Sequence, residues 1–131
     1  MARPTILVAE PEPGQALSVR KLVLETGKFN ILAAHSSEEA LELFHLFPRI
    51  DAIILVNDPA IDCHALSKQI KNEIPKIPII ALSARIGDRC GFADHNLSSH
   101  EPEELLELVR SLLGDPRNLS RDQRKQQVRE A

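Results

Sequence analysis

Polar side chains stand at the ends of four strand-like segments in this 131-residue chain. Glu10-Pro11-Glu12 follows the run Thr5–Ala9. Val56 closes a run over 53–56 and hands over to Asn57-Asp58. Ser83-Ala84 follows 77–82, and Ser98-Ser99-His100 follows 94–97. Carboxylates such as Glu10 and Asp58 suit hard cations, which take several oxygen ligands. Glu10, Asp58, Asp62, His64 and His100 form a candidate metal set if their loops converge, because histidine with carboxylates holds zinc-like ions. No spacing enforces that convergence, and polar loop residues around a wet crevice are the simpler reading. Cys63 and Cys90, the only cysteines, have neither CxxC spacing nor a Cys/His quartet, so they make no zinc or dithiol motif. Cys63 lies near a helix start, where a thiolate is favoured; inert reduced thiols are the default expectation. His35 and His45 read as surface or core-edge residues. A G-x-S-x-G elbow, a Walker loop and a dinucleotide glycine fingerprint are all absent. The chain therefore reads as a non-enzyme.

The elements that position these groups alternate. Thr5–Ala9 reads as a buried strand and Asn30–Ala34 as the second strand, followed by strands over 53–56, 77–82 and 94–97. Ala16, Val19, Val23 and Thr26 recur at helical spacing, with Gly27 as the stop. Ser36-Ser-Glu-Glu39 has the form of a capping box ahead of a face built from Ala40, Leu43, Phe44 and Phe47. Asp62 can cap a helix whose apolar side is Leu66, Ile70 and Ile74. Glu101-Pro102-Glu-Glu104 opens a last helix with proline and dipole-matched acids, buried through Leu105, Leu106, Val109, Leu112 and Leu113. The acids of 101–107 also form a candidate patch for a basic partner. Alternating strands and helices predict an α/β, flavodoxin-like doubly wound sheet, five parallel strands in the order 2-1-3-4-5. In such a sheet, ligands meet the carboxyl ends of the strands.

Apolar residues make up 43% of the chain and aromatics only 3%, with no Trp or Tyr, so the core must be aliphatic. A net charge of −3 argues against nucleic-acid binding by this domain. No apolar run approaches a membrane span of roughly 20 residues, and Met1-Ala-Arg-Pro4 runs straight into a strand without a signal peptide. A cytoplasmic location is expected. The composition divides the chain into a domain over 1–114 and a charged tail or linker over 115–131.

Over 5–114 the chain resembles the receiver domain of response regulators. The resemblance rests on Ile6-Leu-Val-Ala-Glu-Pro-Glu-Pro13 for the first strand and acidic pair, Ser37-Glu-Glu-Ala-Leu41 for the second helix, Pro78-Ile-Ile-Ala-Leu-Ser83-Ala84 for the fourth strand and its hydroxyl, and Pro102-Glu-Glu-Leu105 for the fifth helix. In that family a third-strand aspartate accepts a phosphoryl group. First-strand carboxylates help it hold magnesium, while a hydroxyl and a lysine bind the phosphoryl oxygens. On that pattern Glu10 keeps the first acidic position and Pro11 takes the second. Val56 stands at the acceptor, Ser83 at the hydroxyl, Ser99 at the lysine and Asn96 at the switch aromatic. The stretch from Ser83 to Ser99 is short for the family, so the fourth helix is expected to be reduced or lost near 85–92.

The resemblance thus implies a degenerate receiver, a phosphorylation-independent protein-interaction module in two-component signalling, with magnesium binding absent or weak. Its partner would be a histidine kinase, another receiver or an effector. Two alternatives remain open at this point. Asp58 can serve as a displaced phosphoacceptor, or the scaffold can hold a small ligand or metal.

Overall fold

The computed structural model describes residues 4–11, 24, 27–47, 49–58, 61–83, 89–98 and 101–114. Five strands form one parallel sheet: β1 (Thr5–Ala9), β2 (Asn30–Ala34), β3 (Ala52–Val56), β4 (Ile79–Ser83) and β5 (His95–Ser98). Their order is β2-β1-β3-β4-β5, the flavodoxin-like arrangement expected. Three helices are described: α1 (Ser37–Leu46), α2 (Cys63–Glu73) and α3 (Pro102–Leu113). Residues 89–94 are not helical, in keeping with a lost fourth helix; 84–88 lie outside the described residues. The helix anticipated from Ala16, Val19, Val23 and Thr26 also lies outside them, apart from helical Leu24.

The inner strands β1, β3 and β4 send alternate side chains to two covered faces, while β2 and β5 at the edges are only partly buried. Leu7, Ile53, Leu55, Ile79 and Ala81 face the cluster under α1 and α2, where Phe44, Leu66 and Ile70 cover them. Ile6, Val8, Ile54, Ile80 and Leu82 face the opposite cluster, covered by Leu105 and Val109 of α3 with Leu24 and Phe29. All five residues of β3 and of β4 are buried, and all but Ser83, the last residue of β4, are aliphatic. Some members of the anticipated helix faces lie outside this core. Phe47 is 44% exposed and Ile74 43%, because each is the residue at which its helix ends. Leu112, in the last turn of α3, is 37% exposed.

Capping sets the helix starts. The Ser36 hydroxyl accepts the Glu39 N–H at 3.1 Å, as a capping residue should. The return bond differs from a simple box: the Glu39 carboxylate accepts the His35 N–H at 3.1 Å, one residue further back. Asp62 caps α2 by accepting the Ala65 N–H at 3.1 Å. Its own N–H donates to the Ser37 hydroxyl at 2.8 Å, fixing the two helix starts to each other.

Gly27 has a different role from the one its type suggests. The left-handed residue is Lys28, with φ 72°, and the Phe29 N–H donates back to the Leu24 carbonyl at 3.2 Å. This is the six-residue closure of a Schellman helix end, with Lys28 where glycine is usual. Gly27 is small for packing reasons: a Cβ there would lie 2.7 Å from Leu106 Cδ1 and 3.2 Å from the Phe29 ring.

Candidate functional site

The carboxyl ends of β1, β3 and β4 form the candidate site. Ala9 pairs with Leu55, so Glu10 and Val56 are the next residues on two neighbouring strands. Glu10 is only 2% exposed. Its N–H donates to the Ala34 carbonyl at 2.9 Å, extending the β1–β2 ladder by one rung. Its carbonyl lies 3.2 Å from His35 Nδ1. Pro11, half-buried beside it, contributes no N–H and no side-chain oxygen.

Val56 is 8% exposed and belongs to the aliphatic cluster with Val8, Ile54, Leu82 and Leu105. It joins the core rather than standing as a polar tip. The Asn57 N–H then donates to the Leu82 carbonyl at 2.7 Å, which places its side chain beside β4. Asn57 Nδ2 is 3.5 Å from the Ser83 hydroxyl, a long contact. Ser83, 7% exposed, ends β4 and pairs with Ser98. The Asp58 carbonyl accepts the Ile61 N–H at 2.9 Å. Asn96, half-buried on β5, pairs with Ala81, and its side-chain oxygen accepts the Cys90 N–H at 2.9 Å. Ser99 and His100 lie outside the described residues.

The structure thus brings Glu10, Val56 and Ser83 to one edge of the sheet, joined there by His35 and Asn57. Sequence reading set His35 aside as a surface or core-edge residue and gave Asn57 no role. His35 follows β2 as Glu10 follows β1, and Asn57 follows β3 beside β4, so the strand order alone pointed to both. Of the candidate metal set, His100 lies outside the described residues; among those described, no three His, Cys, Asp or Glu side chains gather as ligands. Asp62 is occupied as a cap, and the His64 ring packs on Phe92 with centroids 4.8 Å apart.

The thiols require a correction. Cys63 and Cys90 are not independent reduced residues but are joined in a disulfide, with Cα atoms 6.0 Å apart. The fold brings the start of α2 against the segment after β4, so a sequence separation of 27 closes in space. The short β4–β5 connection, with no helix described in it, makes this approach, which spacing alone could not place.

Charge shifts lie away from the strand tips. Burial pushes the Asp94 carboxyl up. The Lys71 hydrogen bond and charge, with the Ile79 N–H, outweigh it, leaving Asp94 below its ordinary value. Lys71 Nζ meets Asp94 at 2.6 Å and also donates to the Ile77 carbonyl at 2.7 Å, tying α2 to β4 and β5 at the opposite end of the sheet. Glu104 is raised, first by its hydrogen bond with Glu101, then by the Glu101 charge. The acids opening α3 therefore repel one another as well as complementing the helix dipole.

Chemically, the described tip offers a buried carboxylate, a hydroxyl and an amide beside an aliphatic wall. Magnesium takes near-octahedral oxygen coordination, usually through carboxylates and water. Glu10 offers such an oxygen, whereas Pro11 and Val56 offer none. This donor set does not fit the ion.

The chain matches no protein-family model. It is 38% identical over 84 residues to the response regulator GtcR of Aneurinibacillus migulanus, an alignment covering 64% of this chain and 34% of that protein. The chain therefore spans about a third of the length of that curated relative. It is similar to the response regulator TrrA of Thermotoga maritima, solved in complex with Mg²⁺ and BeF: 29% identity, TM-score 0.71, covering 84% of this chain and 99% of that one. The receiver domain of the sensor histidine kinase PA1611 of Pseudomonas aeruginosa, with magnesium in its active-site cleft, shares the fold at TM-score 0.73. Its identity is 23%, with 86% of this chain and 99% of that one covered. Sheet order, helices and these likenesses define the receiver fold. Together they support a response-regulator receiver domain of the CheY-like type, the domain of two-component signalling. Among the described residues, no helix is long and apolar enough to cross a membrane.

Proposed function

We propose that this receiver domain signals without phosphorylation, as a protein-interaction module whose conformation is set by its sequence. One observation carries the reading. Val56, where the resemblance puts the phosphoacceptor, is buried in the aliphatic cluster. A valine has no lone pair to attack phosphorus, and phosphoryl transfer depends on positioned charge. Replacing acids by Pro11 and Val56 and the lysine by Ser99 removes the ion's ligands together with the repulsion that an ion would neutralise. The domain then needs no magnesium to hold its fold. Its partner is a histidine kinase, another receiver or an effector, met by residues 1–114. Residues 115–131 act as a charged tail or a linker.

The test is titration with acetyl phosphate, or with beryllofluoride, in the presence of Mg²⁺, followed by NMR and intact mass. No adduct, and no large shift at Val56 or Ser83, is the expected result. Saturable shifts at those residues would remove the reading. An adduct that disappears in Asp58→Ala would replace it with a switch built on the displaced carboxylate.

A further inference from the structure

The Cys63–Cys90 disulfide ties α2 to the segment that joins β4 to β5. Cys63 is the first residue of α2, at the end of the helix that favours negative charge. Cys90 lies in the non-helical stretch 89–94. Each cysteine is 4% exposed, yet His64, Arg89 and Gly91 beside them are exposed, so a small opening of this stretch bares the bond. Asp94 anchors the far end of the stretch through Lys71 and Ile79, whereas the other ties on 89–93 are modest. Phe92 rests on the His64 ring while staying 39% exposed. The Ser67 hydroxyl is 3.2 Å from the Cys90 sulfur, and the Asp94 N–H donates to the Ile79 carbonyl at 2.8 Å. Cys90 carries both the covalent tie to α2 and, through its N–H, the hydrogen bond to Asn96 on β5.

We infer that Cys63 and Cys90 form a redox-controlled clamp on the β4–β5 connection. Oxidised, the pair holds 89–93 against α2 and presents the Cys90 N–H to Asn96; reduced, it lets these residues lift away while Asp94 stays anchored. The oxidant is a low-molecular-weight disulfide such as oxidised glutathione. The Cys63 thiolate attacks one of its sulfurs and expels one thiol. The Cys90 thiolate then attacks the Cys63 sulfur of that mixed disulfide, forming the internal bond and expelling the second thiol. Two electrons pass from the cysteine pair to the small disulfide, and the two cysteine protons end on the two released thiols. Reduction runs the same steps backwards. The clamp involves no phosphoryl group, so it stands apart from the proposed function.

The experiment uses the full chain in glutathione buffers of stepped reduced-to-oxidised ratio, quenched with acid and labelled with N-ethylmaleimide for intact mass. Hydrogen exchange is read in parallel on a peptide covering 89–98. The expected result is a ratio-dependent passage between unlabelled and doubly labelled chain. Amides of 90–93 should exchange at least about tenfold faster in the reduced form, while those of β1 stay unchanged. The inference is overturned if both thiols label at every ratio, or if the bond survives every ratio. It is equally overturned if a stable adduct on one cysteine accumulates, or if exchange at 90–93 is the same in both forms. Comparing two states of the wild-type chain avoids reliance on a variant that fails to fold.

Discussion

Replacing Val56 by aspartate restores an acid at the tip of β3, and its cost can be worked from the surroundings. The side chain is 8% exposed, so nearly all of the valine's burial is lost, about 1.5–2 kcal/mol. A polar group set among aliphatic neighbours adds roughly 1–3 kcal/mol. Val56→Asn incurs both losses without charge and serves as the control. Aspartate adds repulsion from Glu10, the corresponding residue on the adjacent strand. Two like charges about 6 Å apart at an effective dielectric near 20 repel by about 3 kcal/mol. That repulsion raises the folded-state pKa of the introduced carboxyl above its unfolded value near 4. The folded state then binds more protons than the unfolded one, so stability falls as pH rises through this window. Urea unfolding of the wild type, Val56→Asn and Val56→Asp, from about pH 4.5 to about pH 8, measures the effect. Circular dichroism is the probe because the chain has no Trp or Tyr. The aspartate variant should match the asparagine variant in acid and fall below it by about 2–3 kcal/mol at neutral pH. A Val56→Asp chain within about 1 kcal/mol of wild type at neutral pH, with no pH-dependent gap to asparagine, would refute the buried, acid-adjacent placement of this residue.

Three other outcomes are expected. Reducing the Cys63–Cys90 bond should lower stability by about 3.5 kcal/mol in the loop-entropy picture for a separation of 27, read as a fall in the urea midpoint. Lys28→Gly should stabilise by about 0.5–1 kcal/mol, because φ 72° costs a residue with a Cβ and costs glycine nothing; an unchanged melting temperature would count against the left-handed cap. Asp94→Asn should lower stability at neutral pH by about 1 kcal/mol or less, since the pair with Lys71 is partly solvated. The Asp94 carboxyl is held below its ordinary value, so its contribution is full above the unfolded pKa and is lost as pH falls through the folded one. The stability gap between the wild type and the Asp94→Asn variant should therefore close below about pH 4.

The sheet was legible because period and composition agree at each strand. β1 and β2 occupy the segments read as strands, and β3, with β4 up to Ser83, is aliphatic throughout, which announces a sheet covered on both sides. Helix starts were legible from Ser36 and Asp62, whose side chains have a local job. Helix ends were less so. Phe47 and Ile74 fit the apolar period yet fall on the terminal residue, where the chain turns away from the core. Lys28 as a left-handed cap has no signature in its type, and Gly27 beside it is small because Leu106 arrives from the far end of the chain. The tip followed the same division. Glu10, Val56 and Ser83 are strand ends and could be read in line. The disulfide and the Asn96 bond to Cys90 depend on how the β4–β5 connection folds back, which no local pattern encodes.

The covalent bond belongs entirely to one side of the sheet, among the residues under α1 and α2. The aliphatic layer beneath α3 has no such fastening among the described residues. Chain freedom in the denatured ensemble is thus curtailed from Cys63 to Cys90, a span that includes β4, while β1, β2 and α3 are restrained by packing and hydrogen bonds alone. The denatured chain is therefore lopsided: a closed ring persists around β4, while the segments on either side of it stay unconstrained.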